Sequence, residues 1–136
     1  MPTPDFLFVY GTLRKDGRGS MAKLLHRSAQ YIGQGTLRGR LYDLGSYPGF
    51  RPSQDPDDCV IGDVFKITQT SCLLSRLDAY EGCAPNSPRP FQYRRQNLDV
   101  AMANGTDLSC WVYVFNRDTT NLPRIKNGDY GPYLKR

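Results

Sequence analysis

The chain has 136 residues, 39% of them hydrophobic. That is enough for one core and too little for two comfortable domains, so residues 1–136 read as a single domain. Thirteen glycines, ten prolines and sixteen aromatic residues disfavour a helical bundle and favour a turn-rich protein with a mainly β core. The net charge of +5 is scattered: pairs such as Arg94-Arg95 and Lys135-Arg136 build no basic tract, which argues for a charged surface and against nucleic acid as a partner.

The N-terminal MPTPDFLFVYG lacks the basic region and long apolar stretch of a secretory signal. Its apolar run Phe6–Tyr10 is far too short to span a membrane, so the expectation is a soluble cytoplasmic protein with no membrane partner. Phe6–Tyr10 reads as a buried strand, and Gly11-Thr12 supplies a sharp exit. Ser20 is expected to cap a short helix that lays Met21, Leu24 and Leu25 on the core, with His26 as a surface or capping residue near its end.

Tyr31–Tyr42, interrupted by Gly33, Gly35 and Gly39, reads as a bent strand curving around a barrel. A turn at Tyr47-Pro48-Gly49, a loop at Pro52–Asp58 and a strand at Val60–Ile67 follow. The period then changes: Leu73, Leu77 and Tyr80 fall at i, i+4 and i+7, which predicts a helix over Thr70–Tyr80 capped by Thr70 or Ser71 and closed by Gly82. After a proline-rich loop at Cys83–Pro90, strands at Gln92–Met102 and Leu108–Phe115 flank Asn104-Gly105, a strong hairpin signal. The formal glycosylation acceptor Asn104-Gly105-Thr106 is better read as that turn. Trp111, Tyr113 and Phe115 alternate with Val112 and Val114, so the last strand has two faces with different work. Residues 116–136 are turn-rich without a period, and no long apolar surface stripe calls for a second copy, so a monomer is expected.

Four cysteines form no CxxC pair, and His26 is the single histidine, so no metal site and reduced thiols are expected. Phosphate, dinucleotide, zinc-protease and serine-nucleophile motifs are all absent. Two local arrangements remain. In Tyr10-Gly11-Thr12-Leu13 a strand ends in a turn that can present successive backbone N–H groups to an anion, with the Tyr10 and Thr12 hydroxyls beside them. In Leu77-Asp78-Ala79-Tyr80-Glu81-Gly82 a carboxylate sits near the negative end of a helix. Glu81 is open to two readings: an ordinary exposed acid beside a terminal glycine, or a group holding a proton near neutral pH.

The ordered set Phe8-Val9-Tyr10-Gly11-Thr12-Leu13-Arg14, Leu41-Tyr42, Tyr47-Pro48-Gly49, Gly62-Asp63-Val64-Phe65, Leu77-Asp78-Ala79-Tyr80-Glu81-Gly82 and Trp111-Val112-Tyr113-Val114-Phe115 covers nearly the whole chain. It resembles the gamma-glutamylcyclotransferase-like family, especially the small gamma-glutamylamine cyclotransferases and their bacterial relatives. The resemblance implies an α+β fold: a small, closed or partly closed mixed β-barrel flanked by helices, with a cavity at its mouth. It further implies that the backbone of Tyr10, Gly11, Thr12 and Leu13 binds a gamma-glutamyl substrate. Glu81 would be the catalytic acid/base of an intramolecular aminolysis that releases 5-oxoproline and an amine without any cofactor.

Tyr113 is a candidate cavity wall, Tyr47 and Tyr93 are candidates for the rim, and Asp129-Tyr130 for a closing segment, while Arg14 is read as either a carboxylate anchor or a solvated charge. A non-catalytic binding module, a gamma-glutamyl deprotecting enzyme and a weak nucleic-acid binder stand as the competing readings. The leaving group stays open.

Overall fold

Alternation along the apolar strands decides the architecture. The computed structural model describes residues 5–67 and 70–135. Along it run β1 (Asp5–Val9), α1 (Ser20–Ser28), β2 (Ala29–Asp43), β3 (Pro48–Pro52), β4 (Cys59–Ile67), α2 (Thr70–Tyr80), β5 (Tyr93–Met102), β6 (Asp107–Phe115) and β7 (Arg124–Ile125), then a 3₁₀ turn at Gly131–Lys135. Successive strand residues point to opposite faces. Phe8, Val64, Val112 and Val114 accordingly join Phe50, Leu41 and Val100 inside the sheet, while Leu7, Val9, Phe65, Tyr113 and Phe115 face outward to pack under the helices. The different work expected of the two faces of β6 is what separates these clusters.

Strand β1 pairs with β4, β4 with β2, β2 with β5, β5 with β6 and β6 with β1, which closes a mixed five-strand barrel. The β1–β6 contact is parallel and the other four are antiparallel. With helices α1 and α2 on one flank, the fold is α+β, as expected. Helix α1 buries Ala22 and Leu25, and α2 buries Leu73, Leu74 and Leu77. Among the described residues no helix is long and apolar enough to cross a membrane.

Strand β2 bends where the register slips between Tyr31 and Gly33. Its glycines clear the interior. A Cβ on Gly39 would stand 2.3 Å from Phe50 Cε1 and 2.6 Å from the Arg51 carbonyl, and one on Gly35 would stand 2.6 Å from Val100 Cγ1. The hairpin turn is closed by the Gly105 N–H to the Met102 carbonyl at 3.0 Å, with Gly105 at φ +88°.

Several expectations are corrected. Ser20 is the first helical residue, and the cap position belongs to Gly19, which offers no side chain. The turn expected at Tyr47-Pro48-Gly49 falls at residues 44–47, where the Leu44 N–H reaches the Tyr47 carbonyl at 3.0 Å. Pro48 and Gly49 instead open the short strand β3, which pairs with β2 and touches β6 at Phe50. The C-terminal region contributes β7 against β2, which its composition did not signal. The expected cap at Thr70 or Ser71 and the pair Lys135-Arg136 lie outside the described side chains.

Gly39→Ala should destabilise the protein by about 1–3 kcal/mol through overpacking against Phe50. A urea midpoint equal to that of the parent protein would show that the barrel interior has room to spare.

Candidate active site

Strand β1 ends at the barrel mouth, and the next residues turn back on themselves: the Arg14 N–H bonds the Gly11 carbonyl at 3.1 Å. The N–H groups of Gly11, Thr12 and Leu13 have no acceptor among the described residues, so they are available to a ligand. A Cβ on Gly11 would stand 2.5 Å from Pro48 Cγ, so only glycine lets this turn lie against the β3 entrance.

The turn is braced from behind. The Arg14 guanidinium bonds Asp63 through Nε at 3.3 Å and Asp129 through Nη1 at 2.7 Å, and the Lys15 N–H reaches the same Asp63 oxygen at 2.9 Å. Arg14 is buried, so neither sequence expectation for it holds; it is an internal clamp. His26 Nε2 donates to the Leu13 carbonyl at 3.1 Å while its ring stacks on Phe65 at 5.4 Å.

Helix α2 delivers the carboxylate. The Cys83 N–H bonds the Asp78 carbonyl at 2.9 Å and the Gly82 N–H bonds the Ala79 carbonyl at 3.3 Å, with Gly82 at φ +76°. This pair of bonds is a Schellman stop, and Glu81 occupies its C-cap. One turn earlier, Asp78 accepts from Arg95 Nε at 2.9 Å, Arg95 Nη2 at 3.2 Å and the Tyr113 hydroxyl at 2.8 Å. Arg95 in turn lies over the Trp111 ring at 4.5 Å.

Glu81 and the Gly11–Leu13 turn line one cavity of about 220 Å³, together with Phe8, Val9, Tyr10, Pro48, Tyr93 and Tyr113. Tyr47, Tyr80 and Gln92 also line it, and a 2.7 Å bond joins Gln92 to the Tyr47 hydroxyl. Tyr80 is therefore not a core residue of α2, as its spacing suggested; it is 53% exposed at the rim. A cavity this small suits a compact polar ligand.

Tyr10, Tyr93 and Tyr113 spend their hydroxyl hydrogens inside the protein. Tyr10 donates to the Tyr113 carbonyl at 2.6 Å and accepts from the Phe50 N–H at 3.2 Å, and Tyr93 donates to the Pro48 carbonyl at 2.7 Å. Burial raises the pKa of all three phenols, Tyr10, Tyr93 and Tyr113, with the charge of Glu81 adding in the same direction. Tyr130 is buried in the barrel cluster and lines a neighbouring hollow, not this cavity.

Glu81 is half-buried and its carboxylate has no hydrogen bond or ion pair among the described residues. Burial raises its pKa from 4.5 to about 7. The group can therefore exchange a proton near neutral pH. Cys83, close by, is pushed by burial to about 11 and stays a thiol. No group of three His, Cys, Asp or Glu side chains gathers into a metal site among the described residues.

Residues 7–132 match the model of the family described as gamma-glutamyl cyclotransferase, AIG2-like. The chain belongs to that family. It is 32% identical over 126 residues to the gamma-glutamylcyclotransferase family protein YtfP of Escherichia coli K12, covering 91% of this chain and 94% of YtfP. The crystal structure of the mouse AIG2-like protein superposes with a TM-score of 0.71 at 24% identity, covering 92% of this chain and 88% of the mouse chain. YkqA of Bacillus subtilis gives the same TM-score of 0.71 at 23% identity over 96% of this chain, which spans only 41% of YkqA. Within this gamma-glutamyl cyclotransferase, AIG2-like fold, Asp78, Arg95 and the Arg14 clamp escaped the sequence reading. The one available signal was an acid at Asp78, a turn from Glu81 on the helix face that buries Leu74.

A carboxyl whose pKa rises on folding keeps its proton in the native state, so stability is full below about pH 4.5 and falls as pH climbs to about 7. Glu81→Gln removes that loss. The variant should gain about 3 kcal/mol over the parent between pH 4.5 and pH 8, read by denaturant unfolding at each pH. A pH-independent difference would mean the carboxyl titrates normally.

Proposed function

We propose that this protein is a gamma-glutamyl cyclotransferase that converts a gamma-glutamyl amine or amide to 5-oxoproline and a free amine, with Glu81 as its proton carrier. The observation that carries the reading is a carboxyl of raised pKa sharing a small cavity with three backbone N–H groups, none of them with a partner among the described residues.

The glutamyl α-carboxylate binds the N–H groups of the Gly11–Leu13 turn, which leaves the α-ammonium within the space lined by Glu81. Ionised Glu81 takes a proton from the ammonium. The freed amine attacks the γ-carbonyl carbon, a new carbon–nitrogen bond closes the five-membered lactam, and the original amide bond breaks. Glu81 then returns the proton to the departing nitrogen; the ring nitrogen sheds a second proton as the lactam forms, and the freed amine takes it up and leaves as an ammonium, so Glu81 ends the turnover ionised. Holding amine and carbonyl together in a cavity of about 220 Å³ supplies the proximity that a floppy substrate lacks in water. Nothing in this sequence asks for a metal or organic cofactor. The reading is of a cytoplasmic enzyme acting as a monomer, and the scattered basic residues do not favour nucleic acid.

Glu81→Gln should fold yet lose nearly all 5-oxoproline release when gamma-glutamyl compounds are screened by mass spectrometry for paired 5-oxoproline and amine. In the parent protein kcat/KM should rise with pH through about 7, because the base must be ionised before it can act. Ligand binding with no product across the whole panel would identify a binding module in place of an enzyme. Gly11→Ala should lower kcat/KM by roughly 10- to 100-fold, since its Cβ drives the turn off Pro48 and misplaces the N–H groups. Full activity in that variant would remove the turn from the substrate site.

A further inference from the structure

A second hollow of about 510 Å³ lies beside the first, lined by Thr12, Arg18, Gly19, Ser46, Tyr80 and Tyr133 among others. Thr12 and Tyr80 line both spaces. These two residues are the chain neighbours of the proposed machinery: Thr12 is the centre of the N–H turn, and Tyr80 immediately precedes Glu81. A group attached to the scissile nitrogen that outgrows the 220 Å³ cavity enters the larger hollow where it crosses this shared border.

The lining itself carries a positive charge. Among the described residues Arg18 is the single charged one that lines the second hollow, while Asp43, two residues before the lining Gly45, accepts the Gly45 N–H at 2.9 Å. Arg18 is exposed and makes no ion pair among the described residues. The acids of the adjoining clamp, Asp63 and Asp129, are already engaged by Arg14. The first turn of α1, which follows Arg18, carries no acid that would neutralise it. The lining also includes Ser46 and the stacked rings of Tyr130 and Tyr133, 5.1 Å apart, which accept flat or apolar bulk and carry no charge.

We propose that this hollow is the leaving-group subsite and that Arg18 selects substrates whose departing amine carries a carboxylate, an amino acid or short peptide, over those releasing a neutral or cationic amine. The inference rests on the cyclotransferase reading above. An arginine is suited to the task because its planar fork meets a carboxylate through two parallel hydrogen bonds. Its exposure keeps the interaction modest and sensitive to salt.

The test compares gamma-glutamyl-alanine with gamma-glutamyl-alaninamide, which differ only in the leaving group's carboxylate. The parent protein should favour the carboxylate by on the order of tenfold in kcat/KM at low ionic strength, with the ratio shrinking toward one in about 0.5 M salt. Arg18→Gln should bring the ratio near one, Arg18→Lys should keep part of it, and Arg18→Glu should invert it. A parent ratio at or below one, or a preference that survives Arg18→Gln, overturns the subsite while leaving the cyclotransferase reading intact. Absence of 5-oxoproline from both compounds and from a wider gamma-glutamyl panel overturns the cyclotransferase reading, and the subsite falls with it.

Discussion

At the barrel mouth three strands run out together, and a single hydroxyl reconciles them. The parallel contacts β1–β6 and β3–β6 each rest on one residue pair, Leu7 with Trp111 and Phe50 with Val114. Such short ladders leave backbone groups in need of partners. Tyr10, directly after β1, gives its hydroxyl hydrogen to the Tyr113 carbonyl on β6 and its lone pair to the Phe50 N–H on β3. Without that oxygen a buried donor and a buried acceptor would be orphaned, each at a cost of about 1–3 kcal/mol. Because the N–H turn begins at the next residue, the same contact sets where Gly11, Thr12 and Leu13 aim.

Paired and unpaired acids divide the molecule's structural charge from its reactive charge. Asp58 accepts from Arg40, Ser53 and Arg124 and so ties the loop after β3 to β2 and β7. Asp63 holds Arg14, and Asp78 holds Arg95 and Tyr113. Removing one partner from a buried pair strands a charge, so these contacts lock geometry. Glu81 shares the interior without such a partner among the described residues, and desolvation acts on it unopposed. A half-buried acid without a partner among the described residues, beside acids that each hold an arginine, is the arrangement expected of a group kept for chemistry.

The sequence made legible whatever depends on local period and turn chemistry. The five barrel strands and α2 fall within one or two residues of expectation, and α1 forms where the apolar spacing placed it, because alternation, helical spacing and Asn104-Gly105 are short-range signals. Family resemblance supplied barrel closure, which no local pattern contains. What stayed hidden was long-range: Arg14 meets Asp63 and Asp129 across 49 and 115 residues of chain, and Tyr113 meets Asp78 across 35. Strand β3 was obscured by Pro48 and Gly49, residues that usually mark turns. Here the glycine is needed because a Cβ would lie 2.9 Å from Phe115 Cγ. Tyr80 was misassigned because helical spacing reports which face a residue occupies but not where the neighbouring elements stop.

Strand β2 is hydrogen-bonded to β4, β3, β5 and β7 along its 15 residues. A strand with that many partners cannot peel from one without straining the others, so the wall behind the cavity opens only with the barrel as a whole. For the proposed substrate, entry and exit would then fall to the rings of Tyr47 and Tyr80, 38% and 53% exposed, since exposed side chains turn within nanoseconds and disturb no backbone bond. The traffic of ligands is thereby uncoupled from the integrity of the sheet.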